Sequence, residues 1–212
     1  MIESMAIRRL LCISMLLVVP DIEAQLTATQ SHMNEISHGD FWIDRYEYPN
    51  VVGQMPMVDV SWQQAQQLCQ DRGQRLCTEA EWEQAAKGSD NFAYGYGPEF
   101  EAERCNTPWP DESGRWRRHR TSTSGAFGGC QTPAGVFDLI GNVWEWTDGW
   151  YDETAGWRPV RGGSWFQNVN FARSDGRYGR HLTPQYRLDL IGFRCCRSAR
   201  PANTDRDLLK TD

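Results

Sequence analysis

Two stretches of the chain repeat apolar residues at helical spacing, and each carries its own start and stop signals. In "DVSWQQAQQLCQDRG", Trp62, Ala65, Leu68 and Cys69 fall on one face. Ser61 and Gln64 form an S-x-x-Q capping box ahead of them, and Gly73 suits the C-terminal cap. In "CTEAEWEQAAKG", Thr78 and Glu81 form a second box, Trp82, Ala85 and Ala86 face inward, and Gly88 ends the helix. Elsewhere the apolar runs are short. "DFWIDRYEYP", from Asp40, is dense in aromatic residues and predicts a strand that ends at Pro49. Further short strands are predicted around 136–139, 159–165 and 191–197. Between 89 and 135, Gly, Pro, Ser, Asp and Asn interrupt every period, which predicts a loop. A loop of that length needs a tie, and Cys105 and Cys130 are placed to supply one. There is no internal repeat and no heptad run.

The two ends read differently from the middle. Arg8 and Arg9 precede an apolar run at 10–19, Pro20 breaks it, and Ile22-Glu23-Ala24 offers a cleavage site before Gln25. That is the layout of a secretory signal over 1–24, too short for a membrane span. Bulky Leu11 argues against lipidation of Cys12, and the Arg pair also permits twin-arginine export. Residues 25–39 read as a flexible lead-in, 40–200 as the domain and 201–212 as a charged tail. The expected protein is therefore exported, periplasmic or secreted, with no membrane span in the mature chain.

Composition narrows this further. A chain of 212 residues is about one domain, and ten Trp with nineteen Gly and ten Pro suggest a loop-rich fold rather than a helical bundle. A formal charge of −6 gives no global field for nucleic acid, so no nucleic-acid partner is expected. With Cys12 removed, Cys69, Cys77, Cys105, Cys130, Cys195 and Cys196 remain, an even set that reads as three disulfides in an exported chain. Spacing alone leaves the pairing open. Cys195 and Cys196 are adjacent on a predicted strand, so they point to opposite faces and must reach different partners. No C-x-x-C pair exists, and the four histidines share no ligand spacing, so zinc and His-rich iron centres have little support. "RWRRHR", at 115–120, is the one dense basic cluster; a solvated loop balanced by Asp111 and Glu112 is favoured over a phosphate or sulfated-glycan site. No G-x-S-x-G, phosphate-binding loop or dinucleotide fingerprint is present.

"DLIGNVWEWTDGW" carries the most chemistry. It gathers Trp144, Trp146 and Trp150 around Glu145, after a Gly141-Asn142 turn. Asp138 and Glu145 supply carboxylates on either side of that turn, which also exposes backbone carbonyls. Oxygen donors around a tight loop suit a hard cation such as calcium. On residue types alone, two acids beside a turn are usually solvated.

"VSWQQAQQLC", "RLCTEAEWEQAAKG", "YGYG", "CN", "GVFDLIGNVWEWTDGWY", "VRGGSW" and "IGFRCC", in this order, resemble the sulfatase-modifying factor family. That family includes formylglycine-generating enzymes, catalytic domains of ergothioneine-type sulfoxide synthases and a siderophore-maturation branch. The resemblance runs from about 40 to 197. It implies an α+β fold, a C-type-lectin-like variant with two helices, short strands and long loops. It also implies a structural calcium held by the side chains of Asp138 and Glu145 and the carbonyls of Gly141 and Val143, with the tryptophans mostly core around it. Relatives join the position of Cys69 to the cysteine of GFRC, which implies Cys69–Cys195; Cys77–Cys196 and a loop-closing Cys105–Cys130 are expected with it. A further bridge of the relatives would fall at Ala86 and Ala172 and is absent here. Relatives use an Asn for a second calcium where Asn106 stands, but its other ligands lie in a segment that differs, so that site is not assigned.

The departures bear most on function. Relatives that oxidise a substrate cysteine hold copper through two cysteines soon after RGGS. Here no cysteine lies between Arg161 and Ile191; Phe166, Gln167, Asn168, Asn170 and Ala172 fill the stretch, so copper is not expected. Ser164 matches the family's active-site serine. The histidine set of the sulfoxide synthases is not found in this sequence, and their added helical domain is not expected. The expected function is an exported binding or accessory domain without formylglycine-generating activity. Trp144, Trp165 and Gln167 would line a pocket for a peptide, a glycan or a small molecule. The alternatives are a metal-dependent oxidoreductase of the siderophore-maturation type, or a ligand-binding protein that varies over 166–190.

Overall fold

The computed structural model describes residues 34–167 and 169–199. The secretory signal, the first part of the lead-in, Asn168 and the charged tail lie outside the described residues.

Both helices form where their caps place them. Helix α1, Trp62–Gln70, starts at Ser61, whose hydroxyl accepts the Gln64 N–H while the Gln64 side chain accepts the Ser61 N–H. These two bonds satisfy amides that the first turn leaves open. The helix stops at Asp71, and Gly73 follows in the left-handed region at φ 70. Helix α2, Glu79–Lys87, repeats the box with Thr78 and Glu81 and ends at Gly88, φ 60. Arg75 forks onto both oxygens of Glu81, so the second cap is also an ion pair.

Two four-stranded sheets flank the helices. The first has the order β1-β2-β10-β3, all antiparallel: β1 is Glu35–Ser37, β2 Phe41–Asp44, β3 Arg75–Leu76 and β10 Cys195–Ser198. The second has the order β8-β7-β6-β9: β6 is Trp144–Trp146, β7 Val160–Arg161, β8 Arg177–Tyr178 and β9 Ile191–Phe193, with β6 and β9 parallel. Strands β9 and β10 are separated only by Arg194, so one extended run leaves the second sheet and enters the first at that residue. Cys195 is bonded to Cys69 on α1 and Cys196 to Cys77 ahead of α2, and Cys105 is bonded to Cys130. The adjacent cysteines thus fasten the run to both helices from opposite faces. Their sulfurs belong to two apolar clusters. Cys69–Cys195 lies with Trp62, Leu76, Trp144, Trp146 and Phe193, and Cys77–Cys196 with Ile43, Trp82, Ala85, Ala86 and Val136.

Several sequence expectations need correction. The lead-in assigned to 25–39 contains β1, whose Ile36 lies opposite Ile43 and whose buried Glu35 pairs with Arg197. Edge pairing and that ion pair order a segment whose polarity suggested freedom. No strand forms over 136–139; Phe137 makes one isolated bridge to Gln131, and Asp138 at φ 57 turns the chain aside. The strand expected over 159–165 is two residues long, because Gly162 and Gly163 at φ 87 and 75 end it. The long loop contains a hairpin, β4 (Trp109–Pro110) with β5 (Trp116–Arg117), clipped by Asp111 to Ser113, Arg115 and Arg117. Among the described residues, no helix is long and apolar enough to cross a membrane.

Candidate functional site

The Gly141-Asn142 turn is built by close approach. Gly141 sits at φ 84, where a Cβ would overlap the Asn106 carbonyl and the Thr107 methyl, so the turn needs glycine. Asn142, at φ 53 and buried, uses its whole side chain. Its amide donates to Glu47 at 2.7 Å, and its oxygen accepts from Asn106 at 2.8 Å and from the Ser122 N–H at 3.0 Å. Its carbonyl accepts the Trp165 N–H. One residue therefore holds together the turn, β2's extension, the long loop and the RGGSW segment.

Past the turn, β6 alternates. Trp144 and Trp146 enter the larger apolar cluster, and Glu145 between them points to the other face. Glu145 is 1 % exposed and accepts from Arg194 at 2.6 and 2.7 Å and from the Trp82 indole at 2.7 Å. Arg194 is equally buried and also donates to the carbonyls of Asp44, Arg45 and Phe137. Burial works against its charge, but Glu145, Glu47 and Asp138 hold its pKa above the ordinary value. Asp138 accepts the Gly125 N–H at 2.6 Å, and Glu47 accepts from Asn142 and the Ser124 hydroxyl. Burial pushes Asp138 up to about 6 and Glu47 well above the usual range, and for Glu47 the neighbouring Asp138 and Glu145 charges add to that push.

Glu145 thus pairs with a buried guanidinium whose charge Glu47 and Asp138 also feel, and with all three acids ionised two negative charges would lack a counter-charge. Sequence reasoning found Asp138 and Glu145 but not Glu47 or the role of Arg194. Glu47 reads there as one acid in an aromatic strand, and only tertiary packing buries it. The donors fit a hard cation, being all oxygen, and a carboxylate that already accepts from Arg194 keeps lone pairs to share. Among the described residues, no three His, Cys, Asp or Glu side chains are grouped to hold a metal alone, so backbone carbonyls would have to complete any shell.

A cleft opens beside β6. A cavity of about 390 Å³ is lined by Trp144, Gln167, Phe171, Tyr178, Arg180 and Tyr186 among others. Gln167 also borders a second cavity of about 250 Å³, with Pro108, Trp116, Arg118 and Phe166. Trp165 lines neither; its indole donates to the Thr121 hydroxyl and its ring meets Phe166 edge-on. Ser164 is buried, and its hydroxyl accepts the N–H groups of Phe166 and Gln167 at 3.4 Å, so it shapes the segment that carries Gln167. Ala172 is buried against Gly163. Of the expected pocket residues, Trp144 and Gln167 come together and Trp165 does not join them.

A model of the sulfatase-modifying factor enzyme 1-like domain matches residues 23–199, all of the described region. The chain belongs to the sulfatase-modifying factor family. Among its relatives, the inactive C-alpha-formylglycine-generating enzyme 2 of Bos taurus is 37% identical over 158 residues, covering 69% of this chain and 51% of that one. The formylglycine-generating enzyme of Thermomonospora curvata is 31% identical over 169 residues, covering 66% and 54%. The chain therefore spans about half the length of these curated relatives. PvdO from Pseudomonas aeruginosa superposes with a TM-score of 0.57 at 23% identity, covering 74% of this chain and 80% of that one, which shows the shared fold. Most of the cleft's lining comes from the segment after RGGSW, with Trp144, Val160 and Ile191 closing its floor from the second sheet. No cysteine lines it, and all six cysteines of the described residues are bonded to one another in pairs.

Proposed function

We propose that this chain is an exported binding or accessory member of the family, stabilised by its disulfides and by calcium at the 138–145 turn, and that it does not generate formylglycine. The content of the stretch after Ser164 carries this reading. Family members that oxidise a thiol need a soft thiolate pair to hold Cu(I). Here Gln167 presents an amide to the cleft, Ala172 presents a methyl to the core, and the cysteines of the described residues are committed to disulfides. Ser164 is occupied with the backbone of the next turn. What remains is a concave, aromatic-lined surface on a cross-linked scaffold, suited to a peptide, a glycan or a small molecule.

Calcium would occupy the charged turn through Asp138, Glu145 and the carbonyls of Gly141 and Val143, and would supply the two positive charges that Glu47, Asp138 and Glu145 lack. Its role there is structural. Three disulfides suit an oxidising compartment, and residues 1–24 have the pattern of a secretory signal. The test is incubation of the protein with copper, oxygen and a peptide bearing a sulfatase C-x-P-x-R motif. The expected result is an unchanged thiol mass and oxygen uptake at background. Aldehyde formation above background would overturn the reading.

A further inference from the structure

Two features of the larger cavity bear on what it could bind. Phe171, Tyr178 and Tyr186 are all exposed large side chains, between 36% and 38%, and all stand on its rim. Scattered singly such residues mean little, but gathered on one concavity they mark a contact surface. With buried Trp144 they form an open cup: Trp144–Phe171, Phe171–Tyr178 and Trp144–Tyr178 lie 5.8, 6.0 and 6.2 Å apart, tilted or edge-on. That is the geometry aromatic rings prefer, and the open side of the cup admits one more ring.

The second feature is charge. Arg180 is the cavity's single fixed charge, and no carboxylate lines it, although the chain as a whole carries −6. Among the described residues Arg180 has no ion pair and no hydrogen-bonded side-chain partner. Its loop is nevertheless fixed. His181 next to it sits at φ 66, unusual for a residue other than glycine, and its ring packs edge-on against Trp157 at 4.7 Å. The following Leu182 carbonyl accepts the Arg158 N–H at 2.7 Å. A fixed backbone beside the aromatic cup leaves only the Arg180 side chain to be ordered by a ligand.

We propose that this cavity binds an aromatic carboxylate, with the ring in the cup formed by Trp144, Phe171, Tyr178 and Tyr186 and the carboxylate on Arg180. This rests on reading the chain as a binding domain. The same chemistry is offered by a free aryl carboxylic acid and by a peptide that ends in an aromatic residue. Calorimetric titration of the full-length protein with N-acetylphenylalanine and with its neutral amide tests the carboxylate. The acid should bind at least about tenfold more tightly than the amide, the size of one charge-assisted contact. Arg180→Gln should bring the acid down to the amide's level and leave the amide unchanged, and Arg180→Lys should recover part of the difference. Tyr186→Ala should weaken both. Because Arg180 and Tyr186 are exposed, matching melting curves will show that these variants fold. Phenylacetate against Gly-Gly-Phe distinguishes the two sources by which binds more tightly. Equal affinity for acid and amide, insensitivity to Arg180→Gln, or no binding of any probe at millimolar concentration would overturn the proposal. None of these outcomes bears on the copper assay: turnover there would sink the accessory reading and leave the titration result intact.

Discussion

Glu145 shares its two oxygens between an arginine and an indole, and each partner comes from a different element: Trp82 from α2, Arg194 from the junction of the two sheets. A buried pair of this kind is costly to break, because the survivor is left charged without water. Asp138 and Glu47 lie close enough to share the Arg194 charge with Glu145, and burial still raises the pKa of both. On the proposal that calcium fills this turn, it should stabilise the fold by mass action, since the unfolded chain would offer no such set of oxygens. Chelation should lower the melting temperature of the wild-type protein. Asp138→Ala should melt at one temperature with and without calcium. If Asp138→Ala instead keeps the full calcium response, the turn is not the site. The two acids of the turn were legible in the sequence because they lie seven apart across a glycine turn. Glu47 was not, since it lies more than ninety residues away from the Asn142 amide it accepts from.

Among the elements, helices were the easiest to read and strands the hardest. Each helix is announced by a local box and a face of Trp and Ala, so its ends need only its own residues. The strands are two to four residues long, shorter than any window in which alternation can be counted, and they are paired across the whole chain. Long-range disulfides and the crossing at Arg194 set their positions. The two caps are also unequal. Gln64 serves only its box, whereas Glu81 caps α2, accepts from the Thr78 hydroxyl and forks with Arg75. Gln64→Ala should therefore cost about 1 kcal/mol or less, and Glu81→Ala visibly more, read as the shift in urea midpoint at unchanged slope. Equal shifts for the two variants would mean that the Arg75 fork is solvated and contributes nothing, as half-exposed ion pairs often do.

At the scale of the whole molecule, the extended run 191–198 is the spine: it joins both sheets, carries two disulfides and buries Arg194. Asp44 on β2 closes the spine from the side. It is fully buried, accepts from Gln74 at 2.9 Å and Asn50 at 3.0 Å, and takes the Cys195 N–H at 3.2 Å. Burial raises its pKa from 3.8 to about 7, against the hydrogen bonds of Gln74 and Cys195 and the charges of Arg72 and Arg194. The sign of the consequence follows from proton counting. Between 3.8 and about 7 the folded state holds the proton and the unfolded state does not, so stability falls as pH rises through that window. At about 1.4 kcal/mol per unit, the loss from pH 5 to 8 through Asp44 is on the order of 2–3 kcal/mol. In the metal-free protein Glu47 and Asp138 act in the same direction, a part that bound calcium would cancel by keeping them ionised, whereas His38, whose pKa is lowered by burial, costs stability below 6.5. Comparison with Asp44→Asn isolates Asp44 from all three. The amide carries a cost of its own, because its NH₂ competes with the donors around it, but that cost does not vary with pH. Melting temperatures measured from pH 5 to 8 should decline more steeply for wild type than for Asp44→Asn. Parallel curves would mean that Asp44 is ionised in the fold throughout, its charge borne by Arg194 and Arg72, and that the spine is no source of pH dependence.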